Sequence, residues 1–585
     1  MGDGSGRSEK SVGLDHRSFL LHVNQLAALR ARGSAASIVN AVLDAWYRKS
    51  YPLLAPGQVT TSPSLNGNGR IEAFATALSR QPLLDAAYWL SSAYAKLLQE
   101  DRRKHLSMYF TPPALARRVL DDLAARGARF DADVFLDPAC GGSAFLVPIA
   151  LRMKQSMKER ISAKEVIEHV QSHLLGIEID ETLCVMSKQF LRGVLYEEIV
   201  ATSFDPEFQV SKDDSLRNSK HLNKKIDVVV CNPPYRKMSA EEARSLRDDF
   251  DNVLSPQPNL YGVFIARCIL FLRLRGLCTV VTPTSFLSGH SFAKLRKFIT
   301  KGNQVLSVGI LSEREGVYID VQQETAVTTI RRGSKKSPSA TSVTLIFPDG
   351  SDNLVGACHL PCSEAAWPVP RTSSDVALIQ AATKLKHRIS DYGYKPRIGN
   401  YVWNRDRRKA YLSERIANRF NKKTVVPLLW SSDIKAGKEV HFDGVKKGNG
   451  ERRFVVYEDR NNPSFIRKPC VLLQRVTCNY QQRRLVAAAV PESLFRSYGG
   501  FVGENHTIIL VPTVARPTIS PRQLAALLGC NEIDRLYRCI SGAANVSVFE
   551  LGQLPLPDPN ELKQALRRGV SIELAVKQLM GLSRR

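Results

Sequence analysis

The chain has 585 residues, 44% of them hydrophobic, with 82 Lys+Arg against 56 Asp+Glu and a formal net charge of +26. That apolar content is enough for two or three packed domains and excludes a disordered chain. The charge excess favours a phosphate-bearing partner, although ribosomal and heparin-binding proteins share it. No run of about 18 apolar residues suggests a membrane helix, and the start, Met1 to Lys10, is polar and Gly-rich rather than a leader. A cytoplasmic protein with no membrane partner is expected.

Residues 1–12 read as disordered. Between Leu14 and Glu100, helical spacing recurs in Leu20, Leu21, Val23, Leu26 and Leu29, and again in Ile38, Val39, Val42, Leu43 and Trp46. Residues 1–100 are therefore expected to be a tail and a helical extension. From 101 to 334, strand-like runs alternate with helical ones, which predicts a doubly wound, Rossmann-like α/β sheet. Within it, Val134 to Leu146 reads as a buried strand, then an acid-and-glycine turn containing Asp137, Gly141, Gly142 and Ser143, then the start of a helix. The glycines allow close backbone approach to a ligand, and a helix N-terminus adds a partial positive charge. Their spacing is not the dinucleotide pattern, and no Gly-Lys-Ser/Thr closes a phosphate loop. The next strand, Leu174 to Asp180, ends in the acids Glu178 and Asp180, and an acid at this place can take both hydroxyls of a ribose. Together these suit a nucleoside ligand without phosphate, for which S-adenosylmethionine is the leading candidate.

The most informative element follows the apolar run Ile226 to Cys231. It is Asn232-Pro233-Pro234-Tyr235. Two prolines remove two backbone donors, so the turn presents carbonyl oxygens. The Asn232 side-chain oxygen and the Pro233 carbonyl can both accept from one exocyclic amino group, and Tyr235 offers a flat face for a planar base. A rigid turn closing a strand is the simpler reading of this tetrapeptide alone. The cofactor-type strand ends upstream argue against it.

Farther on, Arg331 to Ser342 reads as a solvated linker or hairpin tip, and 335–394 as a connecting segment. Residues 395–585 turn to short β-rich runs with basic pairs, Lys422-Lys423, Lys446-Lys447, Arg452-Arg453, Arg467-Lys468 and Arg483-Arg484, among Trp430, Phe454, Tyr457, Phe465 and Tyr480. This predicts an α+β domain that contacts DNA. The eleven cysteines contain no Cys-x-x-Cys pair. Cys358-His359-Leu360-Pro361-Cys362 lacks a second half-site, so no metal is expected, and scattered thiols suit a reducing compartment. Asp558 followed by Glu561 and Lys563 superficially suggests a nuclease, but suits a helix N-cap better.

The set as a whole resembles the γ-class, TaqI-like, amino-methyltransferases of DNA. The matching segments are Tyr109 to Pro113, the Asp137 to Leu146 turn, Gly176 to Asp180, Asp213-Asp214-Ser215-Leu216, the Asn-Pro-Pro-Tyr turn, Asn259 to Phe264 and Val280 to Leu287. Gly552 to Pro557 loosely resembles the close of that class's specificity domain. The resemblance implies methyl transfer from S-adenosylmethionine to adenine N6 in double-stranded DNA, with a separately encoded restriction endonuclease as a possible companion. It assigns catalysis to Asn232, Pro233, Pro234 and Tyr235. Cofactor contacts fall to Thr111, to Asp137, Ala139, Gly141 and Phe145, to Glu178 and Asp180, and to Asp214, with Asp213 an equal occupant by sequence. Two departures stand out. The usual Gly-Ser-Gly is here Gly141-Gly142-Ser143, which puts a Cβ where glycine is usual. The late base-stacking phenylalanine is absent from Thr325 to Arg332, leaving Tyr235 alone or Tyr235 with Tyr318. Cytosine-N4 methylation, glutamine methylation of a protein and a non-catalytic DNA-binding module are the rival readings.

Overall fold

The computed structural model describes residues 14–582 apart from 55–56, 58, 60, 158–160, 312–323, 334–339, 421–423, 444–451, 458–461, 478–480 and 542–544. The expectations for residues 1–12, Tyr318, Lys422-Lys423, Lys446-Lys447 and Tyr480 therefore lie outside the described residues, as does the middle of the Arg331–Ser342 linker, 334–339. The chain divides into two units. One comprises Met1–Pro283, Phe298–Ser339 and Thr344–Asn353; the other comprises Thr284–Lys297, Ala340–Val343 and Leu354–Arg585.

The first unit begins with helices His16–Ala27, Ala35–Ser50, Gly69–Ser79 and Leu83–Leu97. Asp15, Ser34 and Asn68 cap three of them by accepting from Ser18, Ser37 and Arg70 backbone N–H groups. In the second helix, Ile38, Val39, Val42, Leu43 and Trp46 form the buried stripe that the spacing predicts. In the first, Phe19, Val23 and Leu26 are buried, whereas Leu21 is 58% exposed. These residues share one hydrophobic core with Phe135, Leu146, Phe190 and Val228. The helical segment thus shares the core of the sheet-containing unit. Ser91 and Tyr94 on the fourth helix reach the turn and strand end of the sheet, which is the physical reason.

Seven strands form the heart of this unit: β1 (Phe135–Asp137), β2 (Leu174–Glu178), β3 (Gln209–Lys212), β4 (Ile226–Cys231), β5 (Leu272–Pro283), β6 (Asn303–Leu311) and β7 (Thr325–Arg332). They lie in the order β3-β2-β1-β4-β5-β7-β6. The first five are parallel, and β7 runs antiparallel to both β5 and β6. All six residues of β4 are buried, as a parallel strand covered on both faces requires. Its acid, Asp227, accepts from Val134 N at 3.0 Å and pairs with Arg273. Strand order reverses between β1 and β4, so the carboxyl ends of β1, β2 and β4 surround the crevice where doubly wound folds bind ligands.

The second unit holds two four-stranded sheets and a core containing Leu429, Ile434, Val440, Ile466, Leu472, Phe501 and Ile509. The segment Thr284–Lys297 belongs here because buried Arg296 donates to the Phe286 and Gly289 carbonyls and to those of Glu364 and Ala365, at 2.8–2.9 Å. Residues from 354 to 394, expected as a connector, are folded into this unit. Trp367 is fully buried, its backbone N–H donates to the Leu287 carbonyl at 2.7 Å, and helix Ser373–Ala382 buries Leu378 and Ile379. Aromatic and aliphatic side chains that could not stay in water decide the point.

Two of the expected DNA-contacting arginines are structural instead. Arg453 and Asp433 form an ion pair with neither side chain exposed, at 2.8 Å, and Arg484 is buried against Thr477 and Ser541. Asp433 also accepts from Trp430 N at 2.8 Å. Asp433→Ala would strand a buried guanidinium, so this unit should lose about 3–5 kcal/mol of stability, read from the urea midpoint of its unfolding transition.

Candidate active site

The crevice at the carboxyl ends of β1, β2 and β4 is lined from several elements. Tyr109 to Thr111 precede helix Pro113–Ala125, and Asp137 to Gly141, Ala144 and Phe145 follow β1. Glu178 and Ile179 end β2, Asp213 to Arg217 follow β3, and Asn232 and Pro234 follow β4. Thr111, Asp137, Ala139, Gly141, Phe145, Glu178, Asp214, Asn232 and Pro234 thus come together in one cavity from segments far apart in sequence.

The turn after β1 is built on backbone freedom. Gly141 has φ +50°, and a Cβ there would meet the Phe110 ring at 3.1 Å. A Cβ on Gly142 would overlap the Ser91 hydroxyl at 1.8 Å. Ser143 carries the third position at φ +65°, in the left-handed region that L side chains avoid. Its side chain is fully buried and does not line the cavity, and its hydroxyl has no partner among the described residues. The unusual Cβ therefore projects away from ligand space. Cys140 N donates to Ile177 O at 3.1 Å and Ser187 Oγ to Gly141 O at 3.0 Å, fixing the turn against β2 and the next helix.

Glu178 accepts from Gly141 N and Asp180 N, each at 2.9 Å. Desolvation nevertheless dominates and raises its pKa to about 7. Burial also pushes Asp137 well above the usual carboxylate range, against the lowering effect of the Ala139 N–H. Asp180, expected beside Glu178 as a second cofactor ligand, does not line the cavity. Its carboxylate caps helix Glu181–Val194 through Leu183 N at 3.2 Å and accepts from the Tyr94 hydroxyl at 3.0 Å. The cap uses the acceptor capacity that a ligand would need. Asp213 and Asp214 both face the cavity. Asp214 is held by Leu216 N and Arg217, and Asp213 accepts from Asn218 and from Asp214 N.

At the end of β4 the Asn232 amide is oriented by three neighbours. Its Nδ2 donates to the Tyr109 carbonyl and to Thr111 Oγ1, each at 3.0 Å. The Tyr109 carbonyl can only accept, so the amide oxygen points the other way. There Oδ1 lies 2.6 Å from the Tyr235 hydroxyl, which is also 2.9 Å from the Val281 carbonyl. A carbonyl oxygen has two lone pairs, so Oδ1 can accept once more. Pro233 is buried and, like Tyr235, stands behind the lining rather than in it. Tyr235 meets Tyr261 edge-on at 6.1 Å.

Several lining residues escape a reading of the motifs. Phe110 packs on the glycine turn. Ile179 is 58% exposed beside Glu178, an aliphatic surface whose only sequence signal is its place after the acid. Arg236 and Glu242 form an ion pair at 2.9 Å on the wall beside Pro234, with a capping box from Ser239 holding Glu242. Arg236 draws the Glu242 pKa down to about 2. At the far end of the chain, Asp558 caps helix Pro559–Arg567 through Asn560 N and Glu561 N, at 2.7 and 3.0 Å.

A reversed seventh strand, a glycine turn after β1, an acid ending β2 and an amide-presenting turn after β4 define an S-adenosylmethionine-dependent methyltransferase. The donor set fits that cofactor: a carboxylate for ribose hydroxyls, an exposed aliphatic face for a base, and a turn too tight for added side chains. Residues 86–355 match the family model described as N-6 DNA methylase, and this part of the chain is an adenine-specific DNA methyltransferase domain. The match starts inside helix Leu83–Leu97, in keeping with the shared core.

The chain is 23% identical over 358 residues to the type II methyltransferase M.PstI of Providencia stuartii, spanning 59% of this chain and 67% of that protein. It is 23% identical over 242 residues to M.VspI of Vibrio sp. (strain 343), spanning 40% and 52%. With M.AccI of Acinetobacter calcoaceticus it shares 21% over 235 residues, or 39% of this chain and 37% of that one. Among solved structures, the type IIL restriction-modification enzyme MmeI in complex with DNA matches with TM-score 0.60 and 13% identity, covering 97% of this chain and 96% of that one.

Two outcomes follow. Ser143→Gly removes a left-handed Cβ and a buried hydroxyl without a partner, and should stabilise the first unit by about 1 kcal/mol, seen as a raised urea midpoint. Ribose hydroxyls bind an ionised Glu178 better than a neutral one. Because its raised pKa leaves it largely protonated below about 7, S-adenosylmethionine affinity should fall as pH drops from 8 to 6. Glu178→Gln should flatten that profile in calorimetry, whereas an unchanged slope would remove Glu178 from the ligand set.

Proposed function

We propose that this chain is the site-specific modification enzyme of a restriction-modification system, methylating adenine N6 in duplex DNA after extruding the base. The supporting observation is the Asn232 amide of the cavity wall, locked by the Tyr109 carbonyl and Thr111 so that its oxygen is an acceptor with a lone pair beyond the one turned to the Tyr235 hydroxyl. The names of the curated relatives, type II methyltransferases, favour the same reading.

Adenine N6 is a poor nucleophile because its lone pair is delocalised into the ring. Asn232 Oδ1 and the Pro233 carbonyl accept from its two N–H bonds and draw the nitrogen toward tetrahedral geometry. The Tyr235 hydroxyl keeps Oδ1 in place, and its ring packs behind the target. S-adenosylmethionine supplies an electrophilic methyl group on a sulfonium. Glu178 holds ribose hydroxyls, Ile179 and Phe145 bracket the base of the cofactor, and Thr111 serves both sides by orienting Asn232. Asp213 or Asp214 receives the cofactor's exocyclic amine. Asp137, whose burial favours the neutral form, would be drawn toward its charged form by the positively charged methionine end of the cofactor. The site works by orientation and preorganised polarity rather than by a strong base. A base in a duplex is out of reach, so extrusion precedes chemistry.

The second unit selects the sequence, and cleavage of unmodified sites falls to a separately encoded endonuclease. No described helix is long and apolar enough to cross a membrane, and a cytoplasmic location follows from the DNA substrate. Asn232→Ala should lower methyl transfer to duplex DNA by about 10²–10³-fold, comparable to losing one preorganised polar contact. S-adenosylmethionine affinity should change little. Unchanged turnover with radiolabelled cofactor would defeat the assignment.

A further inference from the structure

Basic pairs after residue 395 suggest phosphate contacts, but the structure directs attention to a loop those pairs do not include. Residues 402–409 read Val-Trp-Asn-Arg-Asp-Arg-Arg-Lys, four bases against one acid. Both ends of the loop are fixed. Tyr401, only 2% exposed, donates its N–H to Gly503 O at 3.2 Å and accepts from Asn505 N at 2.9 Å. On the other side Ala410 pairs with Val455, and Lys409 O accepts from Val456 N at 2.9 Å.

The interior is also braced. Val402 O accepts from Arg405 N and Asp406 N at 2.9 and 2.7 Å, which folds the chain back on itself. Arg408 bonds Asp406 through its backbone N at 3.0 Å and its Nε at 2.8 Å, and its guanidinium lies 5.4 Å from the centre of the Tyr401 ring. Arg408 and Asp406 are thus spent on holding the loop. Trp403 is 63% exposed, and Asn404, Arg405 and Arg407 are exposed with it. Neither Arg405 nor Arg407 has an ion pair or side-chain hydrogen bond among the described residues.

An exposed indole flanked by two uncommitted guanidinium forks on a braced loop is costly to leave in water. Trp is rarely so exposed without a partner. Arginine forks match the O6 and N7 acceptors of guanine in the major groove or phosphate oxygens, and an indole stacks on an unpaired base or wedges a base step. On a chain of formal charge +26, a polyanion is favoured over a second protein. Building on the function proposed above, we infer that the Val402–Lys409 loop is a DNA-reading element of the second unit. Trp403 wedges or stacks, and Arg405 and Arg407 contact base edges and backbone.

The test uses the full chain and its Trp403→Ala and Arg405→Ala/Arg407→Ala variants. Binding is read by anisotropy on a pool of sheared duplex DNA and on a labelled duplex carrying the site mapped by modification sequencing. The urea midpoint of the second unit's unfolding transition, expected to be unchanged, checks that each variant is folded. The double arginine variant should bind about 10–100-fold more weakly. A salt slope lowered by about 1 per arginine marks phosphate contact, whereas an unchanged slope with relaxed sequence preference marks base contact. Both patterns support the loop. Affinity and preference equal to wild type would overturn it, as would loss of self-association with DNA binding intact. Because binding to the sheared pool needs neither methyl transfer nor a mapped site, that measurement stands whether or not the chain methylates the DNA, so failure of the loop and failure of the methyltransferase reading remain distinct.

Discussion

Strand order in the first unit is the constraint on which the site depends. With β1 beside both β2 and β4, three carboxyl ends open into one crevice, and the turn after each strand must fill a different role. The turn after β1 is tight and brings backbone close to the cavity. The end of β2 supplies a carboxylate, and the turn after β4 an oriented amide. None of these groups is near another in sequence. Parallel pairing alone brings Asp137, Glu178 and Asn232 to the same edge.

Placement there carries strain and desolvation. Gly141 and Ser143 both adopt left-handed backbone, and Ser143 does so with a buried hydroxyl that finds no partner among the described residues. Glu178 keeps two backbone donors yet titrates near 7 because the cavity strips its solvent. Strained or desolvated groups concentrated in one crevice mark functional sites. The surrounding helices make the cost tolerable. Ser91, Tyr94 and Ser187 each bond to the turn or to the acid-ended strand, so the N-terminal helices are part of the site's support.

The second unit shows how a basic sequence divides its charges. Arg296, Arg453 and Arg484 are fully buried: Arg296 joins backbone segments, Arg453 pairs with Asp433, and Arg484 donates to the Thr477 and Ser541 hydroxyls. A guanidinium with five donors can close several carbonyl gaps at once, as Arg296 does for Thr284–Lys297. Charges that remain on the surface, as in the Val402–Lys409 loop, are those available to a partner. Net charge by itself does not distinguish these uses.

Motif spacing was sufficient for the α/β class, the cofactor type and the amide turn, and the residues it singled out, Thr111, Asp137, Ala139, Gly141, Phe145, Glu178, Asp214, Asn232 and Pro234, all line one cavity. These residues are legible because glycine, proline and terminal acids on strands have few other reasons to recur in that order. The domain limits were not legible, since burial of Trp367 and the carbonyls held by Arg296 depend on partners remote in sequence. Asp180 illustrates the same limit within the site. One residue past a strand end, an acid can face a ligand or cap the next helix, and only the direction of the Glu181–Val194 axis decides for the cap. Likewise, Arg452-Arg453 and Arg483-Arg484 look alike as letters, but packing buries Arg453 and Arg484, because a residue's exposure belongs to the tertiary structure and not to its neighbours in the chain.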